Sequence, residues 1–309
     1  MLLISTHQER VATKAALLQP PPSTDKAVDR HSSGFDCLVI VARRACAEML
    51  STPNCYLRLR DYDDSLGLLS YAMRDLSQDK KDDKAGYFAA KVAMMDRFGP
   101  DAKFAHLIER VQDQENPLFA AAFRRPLDLH GAVREWNGNE AKTAVIEWSR
   151  GTLQEAVDAA FEWRDVDGRR EIWRSSKPKF MQVLYRSDEK HPLQLHQVRH
   201  FSVTTEAPAP FEAHTCWYHL IAMVRMGEGG KEPDKVRTFC TAGRTVSLAR
   251  RGIVCTSPNW SVSDAIARQY YMVFVLHGDS LAPSDSDKPF KCTEHCDLVD
   301  EFDEEMGRT

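Results

Sequence analysis

A cysteine after a proline-bearing turn is the thiol whose surroundings first suggest chemistry. Cys55 follows Thr52-Pro53-Asn54 and precedes residues that can continue as a helix. Nucleophilic thiol catalysis needs a thiolate at a helix start, an imidazole that holds its proton and a polar group that orients the imidazole. The alternative for Cys55 is a small buried thiol, which is the usual state of a free cysteine.

A second group of residues has the donor atoms that zinc prefers. Cys292-Thr-Glu-His295-Cys296 offers two thiols and an imidazole, and His214 and Cys216 could complete a tetrahedral set. The C-x3-C spacing is less typical of zinc sites than C-x2-C, and no second close pair of cysteines occurs. We therefore expect no cofactor, with zinc at Cys292, His295 and Cys296 as the alternative.

The sequence lacks the motifs of several enzyme classes. It has no G-x-x-x-x-G-K-[ST], no G-x-G-x-x-G after a strand, no G-x-S-x-G and no H-E-x-x-H. Gly227, Gly229 and Gly230 lie between two predicted strands, without a helix start that could receive a phosphate. These glycines therefore predict a hairpin turn, and nucleotide use is not indicated.

Composition and charge are those of a folded chain. The 309 residues include 43% hydrophobic and 9% aromatic residues, which excludes a disordered chain. The formal charge of −4 excludes a broadly basic nucleic-acid binder, and no apolar run reaches the ~20 residues of a membrane helix. The apolar start at residues 1–4 is too short for a signal peptide. We expect eight reduced cysteines and a cytoplasmic or nuclear location.

Helical patterns dominate the first half of the chain. Residues 1–34 read as a flexible leader with a proline run at 20–22, and residues 35–166 as a helical subdomain. An apolar run begins at Asp36-Cys37, and a further helix is predicted after Asn139. Two other helices are predicted, with inner faces formed by Phe88, Val92 and Met95 and by Phe104, Leu107, Ile108 and Val111. A T-x-x-E capping box is predicted at Thr152 and Glu155.

The pattern changes to strands after Asp167-Gly168. Residues 167–290 form a predicted β subdomain, because β-branched and aromatic runs alternate with turn residues. The predicted strands cover residues 180–185, 193–203, 216–226, 236–240 and 270–276. Helices followed by strands predict an α+β fold, with a helical N-terminal part and a mainly antiparallel β C-terminal part.

Residues 291–309 form an acidic tail. Positions 294–309 contain a single Lys or Arg, which is Arg308. They contain seven carboxylates, at Glu294, Asp297, Asp300, Glu301, Asp303, Glu304 and Glu305. Such a charge run usually remains solvated. The alternative is an acidic docking segment, whose apolar contacts would be Phe302 and Met306.

Three short stretches carry a family resemblance. Asn54–Leu57, Tyr218–Val224 and Tyr270–Val275 resemble the cysteine box, the strand before the histidine box and the closing strand of the ubiquitin-specific proteases. That family consists of papain-like thiol hydrolases. The order also fits, because the cysteine lies among helices and the histidine region in a later β half.

The departures from this family concern the catalytic base. The family places its histidine in the strand after the turn, whereas residues 232–237 contain none, and Leu-Gly-Asn-Thr does not precede Cys55. The resemblance therefore implies a degenerate relative that binds without cutting, or a hydrolase in which His219 has replaced the base. In the second case Asp234 or Asn259 would orient His219.

The sequence thus predicts an intracellular protein-interaction module without catalytic activity, with the fold of a degenerate cysteine hydrolase. One alternative is an active, deubiquitinase-like hydrolase that uses Cys55, His219 and Asp234. The other is a zinc-binding structural or regulatory protein. The expected partner is a protein, neither nucleic acid nor membrane, and the pattern does not assign an oligomeric state.

Overall fold

A computed structural model describes a large part of the chain. The described residues are 13–14, 16–18, 32–50, 67–73, 81–99, 103–113, 118–119, 122–127, 142–143, 145–161, 163–166, 168–175, 177–187, 192–206, 213–228, 232–240, 255–257, 260–264 and 266–278. The helices are α1 (Ser33–Leu50), α2 (Leu68–Ala72), α3 (Lys81–Phe98), α4 (Phe104–Asp113) and α5 (Leu153–Ala160), with a 3-10 turn at Leu195–Val198.

The strands join in one ten-stranded sheet. Their order is β2-β1-β5-β7-β8-β10-β6-β3, with β4 beside β5 and β9 beside β8. Their bounds are β1 (Ala122–Leu127), β2 (Lys142–Thr143), β3 (Ile146–Trp148), β4 (Trp163–Val166), β5 (Arg169–Ser175), β6 (Phe180–Arg186), β7 (His200–Glu206), β8 (Ala213–Arg225), β9 (Lys235–Thr238) and β10 (Gln269–Gly278).

Helix α1 is central because it is apolar nearly all round. Every residue of α1 except Glu48 is buried. Its two arginines are buried with it, so they donate to main-chain oxygens: Arg43 Nη1 to Ala72 O at 2.5 Å and Arg44 Nε to Phe239 O at 3.0 Å. These bonds tie α1 to the end of α2 and to the residue after β9.

Two cores lie on opposite faces of the sheet. Alternate residues of β10 point to opposite sides, as a strand requires. Tyr271 and Val273 pack with the helical layer of α1, α3 and α4, whereas Tyr270 and Met272 pack with α5 and Trp260. The central strands β8 and β10 are therefore buried on both faces.

Several sequence predictions are confirmed. The fold is α+β, and the strands predicted at 180–185, 216–226 and 270–276 are β6, β8 and β10. The capping box is present, because Glu155 N donates to Thr152 Oγ1 at 3.2 Å and Thr152 N donates to Glu155 Oε2 at 2.7 Å. The predicted inner face of α4 is buried, at Phe104, Leu107, Ile108 and Val111.

Other predictions of secondary structure are wrong. Strand β3 replaces the helix predicted after Asn139, because its residues pair in parallel with β6 and bury Ile146 and Trp148 on one side. Strands β1 to β4 lie within the stretch 35–166 that was expected to be helical. The strand predicted from position 193 begins only at His200, after the 3-10 turn.

The sheet is mixed rather than mainly antiparallel. Strand β3 pairs with β6 in parallel, and β5 meets β7 in parallel through Ser175 and Thr205. Strands β4 and β5 form a hairpin around Gly168, at the position expected to separate the two subdomains. The division of the chain at 34, 166 and 290 stays a prediction.

Helix α3 presents a different face to the core from the one predicted. Phe88 and Val92 are each 39% exposed, while Tyr87, Lys91 and Met94 face inward. Lys91 faces inward because its ammonium meets Asp36 of α1, as described below. An ion pair between distant segments has thus overridden the apolar spacing.

Candidate functional site

The cysteine at the start of the buried helix is Cys37, in the second turn of α1. Its side chain is fully buried, and the buried thiol of Cys255 lies close enough to raise its pKa. Cys255 belongs to the segment beside β9, because its carbonyl oxygen accepts from Val236 N at 2.8 Å. The site thus joins the first turns of α1 to β9 and to the described residues at 255–257.

The surroundings of Cys37 oppose ionisation of its thiol. A helix start usually lowers the pKa of a thiol. Here burial raises the pKa of Cys37 well above its ordinary value, and the Cys255 thiol and the nearby carboxylates of Asp234 and Asp36 raise it further. The thiol is therefore neutral at physiological pH, which is the form that does not attack a carbonyl carbon.

Asp234 holds three segments together at this site. Its Oδ2 accepts from Phe104 N at the start of α4 at 3.0 Å, and its Oδ1 accepts from Gly227 N after β8 at 2.8 Å. Its own backbone N donates to Ser33 Oγ at 3.1 Å. A carboxylate that accepts main-chain N–H groups in this way satisfies buried donors that water cannot reach. The arrangement makes Asp234 a structural acceptor between α1, α4 and β8.

A buried ion pair lies beside this cluster. Lys91 Nζ approaches Asp36 Oδ1 and Oδ2 at 2.8 Å each, and Ser32 Oγ donates to Asp36 Oδ2 at 3.0 Å. Both charged side chains are nearly inaccessible to solvent. The pair fixes α3 against α1, and it places the Asp36 carboxylate close enough to act on Cys37.

His219, the predicted base, lies far along β8 from Asp234. Lys235, which follows Asp234, pairs with Arg225 of β8. His219 precedes Arg225 by six residues, which is about 20 Å along a strand. Its ring instead lies 4.3 Å from that of His277 and 6.0 Å from that of His200, measured between ring centroids. The structure therefore does not bring His219 and Asp234 together.

His214 and Cys216, which could complete a zinc site, lie in β8. The other predicted site residues fall outside the described ranges. These are Cys55, Asn259, Cys292, His295 and Cys296. Within the part of the chain that the structure describes, no group of three or more His, Cys, Asp or Glu side chains is arranged to hold a metal ion. The zinc alternative consequently depends on residues that the structure does not describe.

Sequence reasoning missed Cys37, although a usable signal was present. The same requirement that selected Cys55, a thiol at a helix start, is met where the apolar run begins at Asp36-Cys37. The partner Cys255 carries no such signal, because 217 positions separate the two thiols and only the packing of α1 beside β9 brings them together.

Among the helices in the described ranges, none combines the length and the apolar character needed to span a bilayer.

Comparisons with known proteins give no family assignment. No family model matches the chain, and no curated protein matches it. Among solved structures, the chain is similar to the SAGA DUB module with Ubp8, Sgf11, Sus1 and Sgf73 bound to monoubiquitin. The TM-score is 0.42 at 10% identity, over 91% of this chain and 72% of that one.

Two further solved structures are similar. One is the apo Pan2 pseudoubiquitin hydrolase–RNA exonuclease module of Saccharomyces cerevisiae in complex with RNA, at TM-score 0.40, 8% identity and coverage of 83% of this chain and 54% of that one. The other is an essential yeast splicing factor, at TM-score 0.35, 12% identity and coverage of 77% and 67%. The chain is weakly similar to ubiquitin hydrolase modules, as the sequence resemblance predicts. At these TM-scores the likeness carries no functional argument.

Proposed function

We propose that this chain is a protein-interaction module without hydrolase activity. The observation that carries the proposal is the environment of Cys37, the thiol at the start of the buried helix. Its pKa is raised by burial, by a second thiol and by two carboxylates. A thiol hydrolase needs the opposite arrangement, with an imidazole beside the sulfur that accepts its proton.

The positions of the carboxylates support the same proposal. In a thiol hydrolase a polar side chain orients the base. Asp234 instead accepts from two main-chain donors, Phe104 N and Gly227 N. Asp36 is engaged by Lys91. The polar groups around Cys37 therefore hold elements of the fold in place.

An exposed apolar strip on α3 supports binding to a protein. The strip consists of Phe88, Ala89, Val92 and Ala93, all exposed on one side of the helix. Asp96 and Arg97, also exposed, follow it along the helix. Apolar groups exposed together, with charged groups beside them, are typical of protein contact surfaces.

A ubiquitin-type probe with a thiol-reactive C-terminus tests the absence of hydrolase activity. We expect no covalent adduct on the folded full chain, while an active deubiquitinase in the same tube is labelled. The Cys37→Ala and Cys55→Ala variants identify the thiol if labelling occurs. An adduct that disappears in either variant would overturn the proposal.

Differential capture tests the binding surface. We expect a protein retained by the wild-type chain to be lost with Phe88→Glu and Val92→Glu together. The matched control is Lys103→Glu, an exposed charge change outside the strip, which should retain the same protein. Equal retention by the strip variant and the control would contradict a binding role for α3.

The two other readings of the sequence stay predictions. The hydrolase alternative depends on Cys55. Its predicted base, His219, lies about 20 Å along β8 from Arg225, which pairs with Lys235 next to Asp234. The zinc alternative depends on Cys292, His295 and Cys296. An intracellular, cytoplasmic or nuclear location belongs to the proposal, because none of the five described cysteines, all of them buried, forms a disulfide, as expected in a reducing compartment.

A further inference from the structure

Helix α3 carries its charge inward and its apolar residues outward over two consecutive turns. Between positions 86 and 93 the one charged side chain is that of Lys91, which is buried against Asp36. The exposed residues of these turns are Gly86 and the strip of Phe88, Ala89, Val92 and Ala93. A surface helix normally has the opposite arrangement, with its polar residues facing water. The strip is therefore an apolar surface that needs a partner.

The strip has the shape that fits a second helix. Phe88 and Val92 are four residues apart and form one ridge, and Ala89 and Ala93 form a lower row beside it. Rows with this spacing accept the side-chain rows of another helix. Close approach is possible at Gly86, where a Cβ would meet no atom within 4 Å in the part of the chain that the structure describes. A helical segment is thus the element that the strip fits.

A carboxylate at the end of the strip indicates the direction of that second helix. Asp96 is exposed in the last turn of α3, where the helix carries a partial negative charge, so it lies at the unfavourable end of its own helix. Arg97 is directed elsewhere, because its Nη1 lies 3.0 Å from the place of a Cβ on Gly67. The complementary surface for Asp96 is the positive start of a helix. The partner helix therefore runs antiparallel to α3.

Helix α3 of a second copy supplies such a helix start. The helix begins at Lys81, eight positions before Ala89, and Asp96 lies seven positions after Ala89. Two antiparallel copies of α3 that cross at Ala89 therefore place each Asp96 beside the first turn of the other copy. The same crossing puts a small side chain at the point of closest approach. Because the arrangement has twofold symmetry, each of these contacts occurs twice.

We propose that this chain forms a symmetric dimer through α3, in which the strips of two copies pack antiparallel and cross at Ala89. The inference rests on the proposed function, because it assigns the partner of the same apolar strip. The strip contains only two large side chains, so the area that it buries is below the ~800 Å² per partner of a typical stable complex. The dimer is therefore weak and reversible, and it forms at high protein concentration.

Sedimentation velocity of the full chain tests the dimer. We expect the mean mass to rise from 35.1 kDa at about 2 μM towards twice that value at about 300 μM. Ala89→Glu should weaken association at least about tenfold, because two carboxylates would meet at the crossing. The matched control is Ala159→Glu, the same change at an exposed alanine of α5, which should leave association unchanged. A mass of 35.1 kDa at every concentration, or equal weakening by the two variants, overturns the proposal.

Cysteine cross-linking with copper phenanthroline as oxidant tests the antiparallel direction. At the crossing, Ala89→Cys brings two thiols together, whereas the two copies of Ala93→Cys are about 12 Å apart along the helix axis. A disulfide needs Cα atoms within about 7 Å of each other. We therefore expect a covalent dimer from Ala89→Cys, and no more from Ala93→Cys than from the wild type. Equal cross-linking of the two variants would indicate a parallel contact and contradict the proposal.

Removal of the Asp96 charge tests the contact with the helix start. Asp96→Asn should weaken the dimer about threefold at about 20 mM salt, because two favourable contacts are lost. Glu109→Gln is the matched loss of an exposed charge on α4 and should change nothing. A stronger dimer with Asp96→Asn contradicts the antiparallel contact. A chain that stays monomeric, yet loses a captured protein with Phe88→Glu and Val92→Glu, overturns the dimer and leaves the proposed function standing.

Discussion

The thiol of Cys255 lies beside the thiol of Cys37 in the second turn of α1 and raises its pKa. Both cysteines are fully buried or nearly so. Two thiolates in this position would repel each other, so the pair is most stable with both thiols protonated. The pair therefore acts as a neutral, structural contact between the helical layer and the segment beside β9. For this reason we expect Cys37 to have a packing role and not a catalytic one.

Buried thiols predict a loss of stability at high pH. Burial raises the pKa of Cys46 to about 12, although the charge of Arg43 opposes the rise. An unfolded thiol ionises near pH 8.5, so the unfolded chain gains stability between about pH 8.5 and 12 while folded Cys46 stays protonated. The free energy of unfolding should fall with a contribution of about 1.4 kcal/mol per pH unit from this residue.

Guanidinium titrations of Cys46→Ala at several pH values check this expectation. The free energy of unfolding of the variant should decline less steeply above about pH 8.5 than that of the wild type. Val41→Ala in the same buried helix is the control, because it lowers stability without removing a titrating group. Identical slopes for Cys46→Ala and the wild type would contradict the raised pKa.

Loss of the Asp234 carboxylate should destabilise the fold. Asp234→Ala leaves the N–H groups of Phe104 and Gly227 without their acceptor. Each buried donor left without a partner costs about 1–3 kcal/mol, so we expect a loss of about 3 kcal/mol in urea unfolding. Asp234→Asn keeps one acceptor oxygen and should lose less. A loss below about 0.5 kcal/mol for the alanine variant is incompatible with this role.

The sequence predicted best where periodicity alone decides the structure. The inner face of α4 follows from apolar residues three and four positions apart, and β6, β8 and β10 follow from long apolar runs. The capping box needs only Thr152 and Glu155 at the right spacing. Each of these signals lies within about ten residues of chain, so no distant partner is needed to interpret it.

The buried pair between Lys91 and Asp36 predicts a large single-variant effect. Lys91→Met leaves the Asp36 charge buried without its ion-pair partner, which should cost about 3–5 kcal/mol. The double variant with Asp36→Leu removes both charges and should be markedly more stable than Lys91→Met alone. Thermal unfolding of the two variants measures the difference, and equal destabilisation would show that the two charges do not interact.

Helix α3 allows a direct comparison of its two faces. Phe88→Ala on the exposed side should change the free energy of unfolding by no more than about 0.5 kcal/mol. Met94→Ala on the buried side should cost about 2–5 kcal/mol. Chemical denaturation compares the two variants. A larger loss of stability for Phe88→Ala than for Met94→Ala would indicate that Phe88 faces the core, as the sequence predicts.

The features that the sequence did not predict depend on distant contacts. Apolar residues occupy both sides of α3, so their spacing alone does not predict which side is buried. Lys91 faces inward because it forms an ion pair with Asp36 of α1. Strand β3 is too short for a period-2 signal, and it becomes a strand by pairing with β6. The Cys37 site likewise needs Asp234 and Cys255, which the chain brings in from the β half.

The reactivity of Cys37 in the folded full chain tests the central claim most directly. Alkylation by iodoacetamide is followed by mass spectrometry between about pH 6 and 9, with the unfolded chain as the reference for full reactivity. We predict that Cys37 stays unmodified in the folded chain throughout this range. Alkylation of Cys37 in the folded chain with a midpoint below about pH 7 would identify an activated thiol and contradict the non-catalytic account.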